Sequence, residues 1–396
     1  MGVGTPALAG VEMSGPVLSV RARSERVVAD PAGPTGTVDP AFWRGRRVLL
    51  TGHTGFKGAW LALWLQTLGA RVTGFALDVP TQPSLYELAR VGQGMESIEG
   101  DVRDFGALAG ALSAVRPEIV IHMAAQSLVR PSFAEPRMTY EVNVMGTVNL
   151  LDAVRGDGNV RVVVNVTSDK CYENREWEWA YREHEPMGGH DPYSSSKGCA
   201  ELVTDAFRRS FFSREDSTRI ATARAGNVIG GGDWAEDRLV PDLMRAALDG
   251  QTVHVRNPGS IRPWQHVLNP LGGYLMLAHA LWSSPELAGA WNFGPADEDA
   301  QPVSWIVRRI AELWPRPLAW AEDGEPHLRR VHEARYLKLD SSRARSHLGW
   351  QPRWGLADGL EAVVDWYDAL NRGEDMRAAT LEQIERFATL GALAGR

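Results

Sequence analysis

The chain has 396 residues, 44% of them hydrophobic and 23% charged, with a formal net charge of −7 at pH 7. This length allows one large domain or two moderate ones with a sizeable core, and the composition is typical of a globular protein. The negative charge argues against a non-specific nucleic-acid binder, which needs a basic surface. No apolar run approaches the length of a membrane span, and no secretory signal is evident, so no membrane partner is predicted. Two cysteines, Cys171 and Cys199, are too few for a disulfide framework, so a reducing cytoplasm is expected.

The first 40 residues are rich in glycine, proline, alanine, valine and serine and show no sustained hydrophobic period. This composition predicts a disordered extension over 1–40, or an overlong gene start with Met13 as another candidate. Folded structure is expected to begin near Phe42 and Trp43.

The stretch 47–58, RVLLTGHTGFKG, is the first strong signal. A short apolar strand at 48–50 runs into a glycine-rich turn, and an apolar helical run over 59–65 follows at once. This order predicts a dinucleotide-binding turn, in which backbone N–H groups approach a pyrophosphate. The Gly-x-x-Gly-x-x-Gly spacing suggests the short-chain dehydrogenase version. The predicted cofactor-binding residues of the turn are Gly52, Gly55, Phe56 and Gly58.

The second strand, predicted over 71–77, ends at Asp78, twenty positions after Gly58. A carboxylate at this place hydrogen-bonds the ribose hydroxyls of a dinucleotide and repels a 2′-phosphate, so NAD is favoured over NADP. The alternative is an ordinary strand-end aspartate in a turn.

Two further strand ends are predicted to border the cofactor. A third strand ends at 100–102, where Asp101 and Val102 would meet the adenine. A fourth strand over 119–123 leads into Ala124 and Ala125. Two small residues there suit the close approach of a cofactor, although they equally suit tight helix packing.

The predicted alternation of strands and helices continues to about residue 225. A helix is predicted over 136–155, a buried strand over 162–166, a helix opened by Asp191 and Pro192, and a sixth strand over 219–224. Beyond 225 the pattern is less regular. We therefore predict an α/β fold with a doubly wound (Rossmann) parallel sheet over 41–225, to which some later segments return. A smaller mixed substrate-binding lobe is predicted over 226–375 and a C-terminal tail over 376–396.

Tyr193 and Lys197 lie four residues apart and share one face of a helix. A nearby ammonium stabilises a phenolate, so the pair can take a proton from an alcohol as hydride leaves the same carbon. Only four of the 42 basic residues are lysines, and three of them, Lys57, Lys170 and Lys197, fall within motifs. A tyrosine and a lysine four residues apart are therefore rarely expected by chance. The alternative is that Tyr193 and Lys197 are an exposed pair that stabilises the helix by a few tenths of a kcal/mol.

Ser168, Asp169 and Lys170 follow the fifth strand, at the sheet edge where open α/β folds bind ligands. The Ser168 hydroxyl can orient the reacting oxygen. If Asp169 is protonated in a water-poor site it can protonate a departing hydroxyl. Lys170, if desolvated into its neutral form, could remove a proton from carbon. The alternative for Asp169 and Lys170 is an ion pair in a loop.

Seven segments together resemble the CDP-glucose 4,6-dehydratases, extended short-chain dehydrogenases that act on nucleotide sugars. The segments are TGHTGFKG, AAQSLVR, NVMGTVNLLDAVR, TSDKCYENREWEW, DPYSSSKGCAEL, RAGNVIGGGDW and RPWQHVLNPLGGYL. The likeness covers about residues 42–370. It implies NAD as cofactor, CDP-glucose as substrate, a homodimer paired through the helices over 136–155 and 193–212, and no metal site.

The resemblance also implies residue roles. Tyr193 would deprotonate the glucose 4-hydroxyl, with Ser168 on the same oxygen and Lys197 on the cofactor ribose. Asp169 would protonate the C6 hydroxyl as it leaves. The C5 base stays open between Lys170, which stands where related dehydratases carry glutamate, the Tyr193 phenolate and another group.

Four residues are implied on the substrate side: Ser127 at the sugar, and Asn227, Arg238 and Arg262 at the diphosphate. Two other functions share parts of the pattern. A nucleotide-sugar 4-epimerase has the same glycine turn and Tyr–Lys pair but no use for Asp169 and Lys170. A non-catalytic NAD sensor would have no use for Tyr193 and Lys197.

Overall fold

The computed structural model describes residues 1, 36–214, 216–255, 257–322 and 336–394. The extension predicted over 1–40 therefore lies almost wholly outside the described residues. The architecture below belongs to Ala32–Arg396, which forms one unit by its internal contacts. Phe42 and Trp43, near which the sequence predicts folded structure to begin, are buried.

The elements of the described residues are as follows. The strands are β1 (Arg47–Thr51), β2 (Arg71–Ala76), β3 (Glu96–Glu99), β4 (Ile119–His122), β5 (Val162–Val166), β6 (Arg219–Arg224), β7 (Val228–Ile229), β8 (Val253–Val255), β9 (Ile261–Pro263), β10 (Gln265–His266), β11 (Gly289–Asn292), β12 (Ala300–Pro302) and β13 (Trp320–Glu322). The helices are α1 (Pro40–Trp43), α2 (Phe56–Thr67), α3 (Leu85–Leu88), α4 (Phe105–Val115), α5 (Val129–Ala134), α6 (Pro136–Tyr140), α7 (Gly146–Asp157), α8 (Pro192–Phe211), α9 (Leu239–Asp249), α10 (Leu268–Ser283), α11 (Val303–Leu313), α12 (Ser342–Leu348), α13 (Leu356–Asn371) and α14 (Met376–Ala394).

The central sheet has seven strands in the order β11-β6-β5-β4-β1-β2-β3. All neighbouring pairs in this sheet are parallel. The strand order reverses between β1 and β4, so a crevice opens at the carboxyl ends of these two strands, where doubly wound folds bind ligands. The predicted fold class is confirmed.

Alternate strand residues face two separate cores, one on each side of the sheet. Leu49 and Val163 pack with the residues of α4 and α7 on one side. Leu50 and Val164 pack with those of α2 and α10 on the other. Because both faces are covered, the strands are apolar throughout rather than alternating.

Residues beyond 225 contribute one strand to the main sheet and otherwise form smaller elements. These include α9, α11 and the two-stranded pairs β7–β10, β9–β12 and β8–β13. Strand β11 returns to the main sheet beside β6.

The segment predicted as a C-terminal tail over 376–396 contains α14, which packs on α2 through Phe387 and Trp64, with ring centroids 5.7 Å apart. Because α14 covers one side of α2, every residue of α2 from Gly58 to Leu65 is buried. No helix in the described ranges is long and apolar enough to cross a membrane.

Candidate active site

The glycine turn lies at the switch point between β1 and β4. Gly52 has a φ of +75°, a left-handed conformation that favours glycine, and a Cβ there would lie 2.7 Å from the backbone nitrogen of Ala124. A Cβ on Gly58 would collide with the Gly52 carbonyl oxygen. Gly55 is the N-cap residue of α2 and supplies no side-chain cap. The first backbone N–H groups of α2 therefore lie at a glycine turn that has no side chains at these three positions. We call this turn the cradle, and it fits a dinucleotide pyrophosphate.

Asp78 is exposed and lies next to this turn. The Thr54 hydroxyl donates to the carbonyl oxygen of Leu77 at 3.0 Å, which ties the end of β2 to the turn. An Asp78 carboxylate oxygen accepts a hydrogen bond from the Val79 backbone nitrogen at 2.7 Å. Its position fits the ribose contact that the sequence predicts.

Asp101 and Val102 follow β3 in different environments. The Asp101 carboxylate accepts hydrogen bonds from the Arg103 guanidinium at 2.8 and 2.5 Å, and this contact lowers the pKa of Asp101. Val102 is buried, and a Cβ on Gly146 would lie 2.7 Å from its Cγ2. An adenine contact by the Asp101 carboxylate would therefore compete with the Arg103 ion pair.

Tyr193 and Lys197 are brought into the site by the first turns of α8. Asp191 caps the helix, accepting from the Ser194 backbone nitrogen at 2.9 Å. Both Tyr193 and Lys197 are buried. Burial raises the pKa of Tyr193 to about 12, although the hydrogen bond with Ser168 and the charge of Arg238 act in the opposite direction. Desolvation thus opposes the stabilisation of the phenolate that the sequence predicts from Lys197.

Burial shifts the pKa of Lys197 in the opposite direction. Burial lowers the pKa of Lys197 to about 8, and the nearby Glu201 carboxylate limits the decrease. Because that pKa still lies above 7, most of Lys197 is protonated at neutral pH, four residues after Tyr193 on α8.

Ser168 connects Tyr193 with Asp169. The Ser168 hydroxyl donates to an Asp169 carboxylate oxygen at 2.9 Å and also hydrogen-bonds Tyr193. Asp169 is only 3% exposed. A Cβ on Gly226 would collide with its carboxylate. The phenol and the carboxyl predicted to act together therefore occupy one buried cluster.

Lys170 differs from its neighbour, because its side chain is exposed. Its backbone nitrogen donates to the Ser168 hydroxyl at 3.2 Å within the turn Asp169–Cys171.

The four residues predicted on the substrate side are Ser127, Asn227, Arg238 and Arg262. Arg238 reaches Ser127 at 3.4 Å, from Nη2 to Oγ, and Asp233 at 3.1 Å. Asn227 has a φ of +48°, and its carbonyl oxygen accepts from the Gln265 backbone nitrogen at 3.2 Å. Arg262 is half-buried on β9, three residues before Gln265.

Lys57, within the glycine turn, makes a contact that the sequence did not predict. Its Nζ donates to the Tyr274 hydroxyl at 3.1 Å, and burial lowers the pKa of Lys57 to about 7. The scarcity of lysine marked Lys57 as unusual, but Tyr274 is 217 positions away, so no local spacing connects the two. No cluster of three or more metal-binding side chains occurs among the described residues.

Comparison with known proteins places this geometry in a family. Residues 49–280 match the family described as GDP-mannose 4,6 dehydratase. The CDP-glucose 4,6-dehydratase of Salmonella typhimurium is 55% identical over 355 residues, which cover 88% of this chain and 98% of the relative.

More distant relatives share the same fold. The dTDP-glucose 4,6-dehydratase of Mycolicibacterium smegmatis is 30% identical, over 82% of this chain and 93% of the relative. The structure of Thermus thermophilus UDP-glucose 4-epimerase, solved as a complex with NAD, matches with a TM-score of 0.69 and 26% identity, over 81% of this chain and 99% of that one. Together with the buried Tyr193–Ser168–Asp169 cluster, these matches confirm the resemblance seen in the sequence: the chain belongs to the nucleotide-sugar 4,6-dehydratase family, in the branch of the CDP-glucose 4,6-dehydratases.

Proposed function

We propose that this protein is an NAD-dependent hydro-lyase that converts CDP-D-glucose to CDP-4-keto-6-deoxy-D-glucose. The observation that carries the proposal is the buried cluster in which Ser168 connects the Tyr193 phenol to the Asp169 carboxyl. The 55% identity to the Salmonella enzyme supports CDP-glucose as the substrate.

The cofactor would lie along the crevice between β1 and β4. Gly52, Gly55 and Gly58 would hold its pyrophosphate, and Asp78 its adenosine ribose. Phe56, Asp101, Val102, Ala124 and Ala125 are proposed to line the same path. When bound, NAD supplies a hydride acceptor at the start of the reaction and a hydride donor at its end.

The residues of the cluster would then divide the proton transfers. Tyr193 takes the proton of the glucose 4-hydroxyl, and Ser168 holds the same oxygen. Lys197, four residues after Tyr193 on the same helix, would supply a positive charge that favours the phenolate. Asp169, buried beside Ser168, delivers a proton to the C6 hydroxyl as it leaves.

The nucleotide-sugar diphosphate is proposed to contact Asn227, Arg238 and Arg262, with Ser127 on the sugar side. Arg238 is suited to this because its guanidinium already reaches Ser127 and its charge acts on Tyr193. The planar guanidinium of an arginine can donate hydrogen bonds to two phosphate oxygens at once.

The test is incubation with CDP-glucose, in parallel with dTDP- and GDP-hexoses. We expect a 4-keto-6-deoxy product that absorbs in alkali from CDP-glucose, and its loss in Asp169→Asn. A C4 epimer formed instead would establish the epimerase alternative. If Tyr193→Phe left turnover unchanged while NAD still bound, catalysis by this cluster would be refuted.

We also propose a homodimer formed through α6, α7 and α8. Large apolar side chains on or between these helices are exposed: Tyr140 by 37%, Met145 by 49%, Leu202 by 59% and Phe211 by 49%. Burying them against a second copy would remove this surface from water. Light scattering should give twice the chain mass, and Leu202→Glu should give a monomer. The free thiols of Cys171 and Cys199 support the further proposal of a reducing cytoplasm.

A further inference from the structure

Asp169 and Gly226 lie side by side at the carboxyl ends of two neighbouring strands. Strands β5 and β6 are parallel, with Val166 opposite Ala223. Asp169 and Gly226 each come three residues later in the chain. The register of the sheet therefore brings the two residues together, although they are distant in the sequence.

The space that a side chain at position 226 would occupy is filled by the Asp169 carboxyl. A Cβ on Gly226 would have Oδ2, Cγ and Oδ1 of Asp169 as its three nearest heavy atoms, all nearer than 3.0 Å. The φ of Gly226 lies outside the left-handed region, so the backbone conformation itself would accept alanine. Glycine is therefore required here by space, and one carboxyl group takes that space.

The backbone on the Gly226 side of this contact is anchored by Gln265, which is buried on β10. The Gln265 backbone nitrogen donates to the Asn227 carbonyl oxygen at 3.2 Å. Its side-chain Nε2 donates to the carbonyl oxygens of Phe293 at 2.8 Å and Gly226 at 3.5 Å. Because moving this turn would break buried hydrogen bonds, the backbone is not expected to retreat from a new side chain.

The Asp169 side chain is the part of the contact that can move. Its carboxyl accepts a hydrogen bond from the Ser168 hydroxyl at 2.9 Å, and rotation about its side-chain bonds would carry it away. A Cβ at position 226 is therefore expected to break the Ser168 contact and leave the fold in place. We propose that Gly226 is a positioning residue of the reaction, which reserves the place that the Asp169 carboxyl needs for its role at the sugar. This proposal rests on the proposed function, which gives Asp169 that role.

The test is a double-mutant cycle of Gly226→Ala with Asp169→Ala, and Gly106→Ala is the matched control. Asp169→Ala removes the carboxyl with which the new methyl group would collide. A Cβ on Gly106 would also lie beside an aspartate, but at 3.4 Å from Asp104 Oδ1, an ordinary contact on the exposed first turn of α4. Each variant is assayed for urea unfolding, for NAD binding by calorimetry, and for formation of the 4-keto-6-deoxy product from CDP-glucose.

The two backgrounds should respond differently to the same methyl group. With Asp169 present, Gly226→Ala should bind NAD normally but form product about 100-fold more slowly, the effect of a misplacement of about 1 Å. It should also lower the urea midpoint in that background. In the Asp169→Ala background, Gly226→Ala should lower neither the residual product rate nor the urea midpoint, since the colliding group is gone. Gly106→Ala should keep the wild-type product rate.

Several outcomes would overturn the proposal. Wild-type product formation by Gly226→Ala would do so, as would equal losses in both backgrounds, because the methyl group would then act on something other than the carboxyl. If Gly226→Ala failed to fold, recovery of folding in the double variant would support the proposal and failure of both would overturn it. A wild-type protein that forms no 4-keto-6-deoxy sugar would instead refute the proposed function, whereas the urea cycle would still decide whether residue 226 positions Asp169.

Discussion

Glu201 and Arg224 form a buried ion pair at the helix that carries Tyr193 and Lys197, two of the residues proposed as catalytic. Glu201 Oε2 and Arg224 Nη2 are 2.7 Å apart, and each side chain is 4% exposed. Glu201 lies on α8, four residues after Lys197, and also accepts hydrogen bonds from the hydroxyls of Thr167 and Thr222. The pair therefore fastens the helix that carries Tyr193 and Lys197 to the carboxyl ends of β5 and β6.

Replacement of Glu201 by glutamine keeps the volume and removes the charge. Arg224 would then stay buried as a cation, held by the Tyr172 hydroxyl at 2.6 Å and the Glu183 carbonyl oxygen at 2.9 Å. Removing one partner of a buried pair costs about 3–5 kcal/mol. We expect a loss of about 3 kcal/mol in the free energy of unfolding for Glu201→Gln, because the amide oxygen still accepts hydrogen bonds.

The assay is urea unfolding followed by tryptophan fluorescence and circular dichroism, with Glu312→Gln as the matched control. Glu312 pairs with Arg309 at 3.3 Å but is 65% exposed, so its replacement should cost less than about 1 kcal/mol. If Glu201→Gln also cost less than about 1 kcal/mol, the assignment of the buried pair as a main attachment of α8 would be refuted.

Three further predictions concern the site. Tyr193→Phe should lower turnover at least about 100-fold without weakening NAD binding, as measured by steady-state kinetics and calorimetry; unchanged turnover would contradict the role of the phenol. Gly52→Ala should abolish NAD binding in calorimetry, because its Cβ would lie 2.7 Å from the Ala124 nitrogen at a φ of +75°. Normal affinity for NAD would contradict the proposal that the glycine turn binds the pyrophosphate. The folded pKa of Lys57, about 7, lies below its unfolded value of 10.5, so folding releases a proton and the free energy of unfolding should rise as pH increases from about 7 to 10. Urea titrations should show a smaller rise in Lys57→Met, and an identical rise would argue against the lowered pKa.

Much of the fold followed from local patterns in the sequence. The apolar runs of β5 and β6 were predicted with the bounds that the structure has, since strands covered on both faces are continuously apolar. The start of α8 was predicted because Asp191 and Pro192 are strong N-terminal signals, and Asp191 does cap the helix.

The helix predicted over 136–155 is less regular than its hydrophobic period suggested. It consists of α6, a π-helical turn at Glu141–Met145, and α7. Within that turn the buried Asn143 exchanges hydrogen bonds with the Gln126 backbone, both at 2.9 Å, and donates to Ser196 at 2.8 Å. The wider π-helical turn thus coincides with hydrogen bonds to residues that are distant in the sequence. The local hydrophobic pattern does not predict these hydrogen bonds.

Long-range contacts also explain what the sequence did not assign at the site. Lys57 meets Tyr274 only because α2 and α10 pack on the same face of the sheet. Helix α14 lies in the segment predicted as a C-terminal tail, although its buried residues Thr380, Ile384 and Phe387 lie on one helical face. The exposure of Lys170 beside the buried Asp169 depends on the turn that follows β5.

The most direct test of the account is the fate of a deuterium placed at C4 of CDP-glucose. Because oxidation at C4 and reduction at C6 are proposed to occur at one site within one turnover, the label should be recovered at C6 of the 4-keto-6-deoxy product, as read by NMR and mass spectrometry. Label that returned to C4 in an epimerised sugar, or that was lost to solvent, would contradict internal dehydration by the Tyr193–Asp169 cluster.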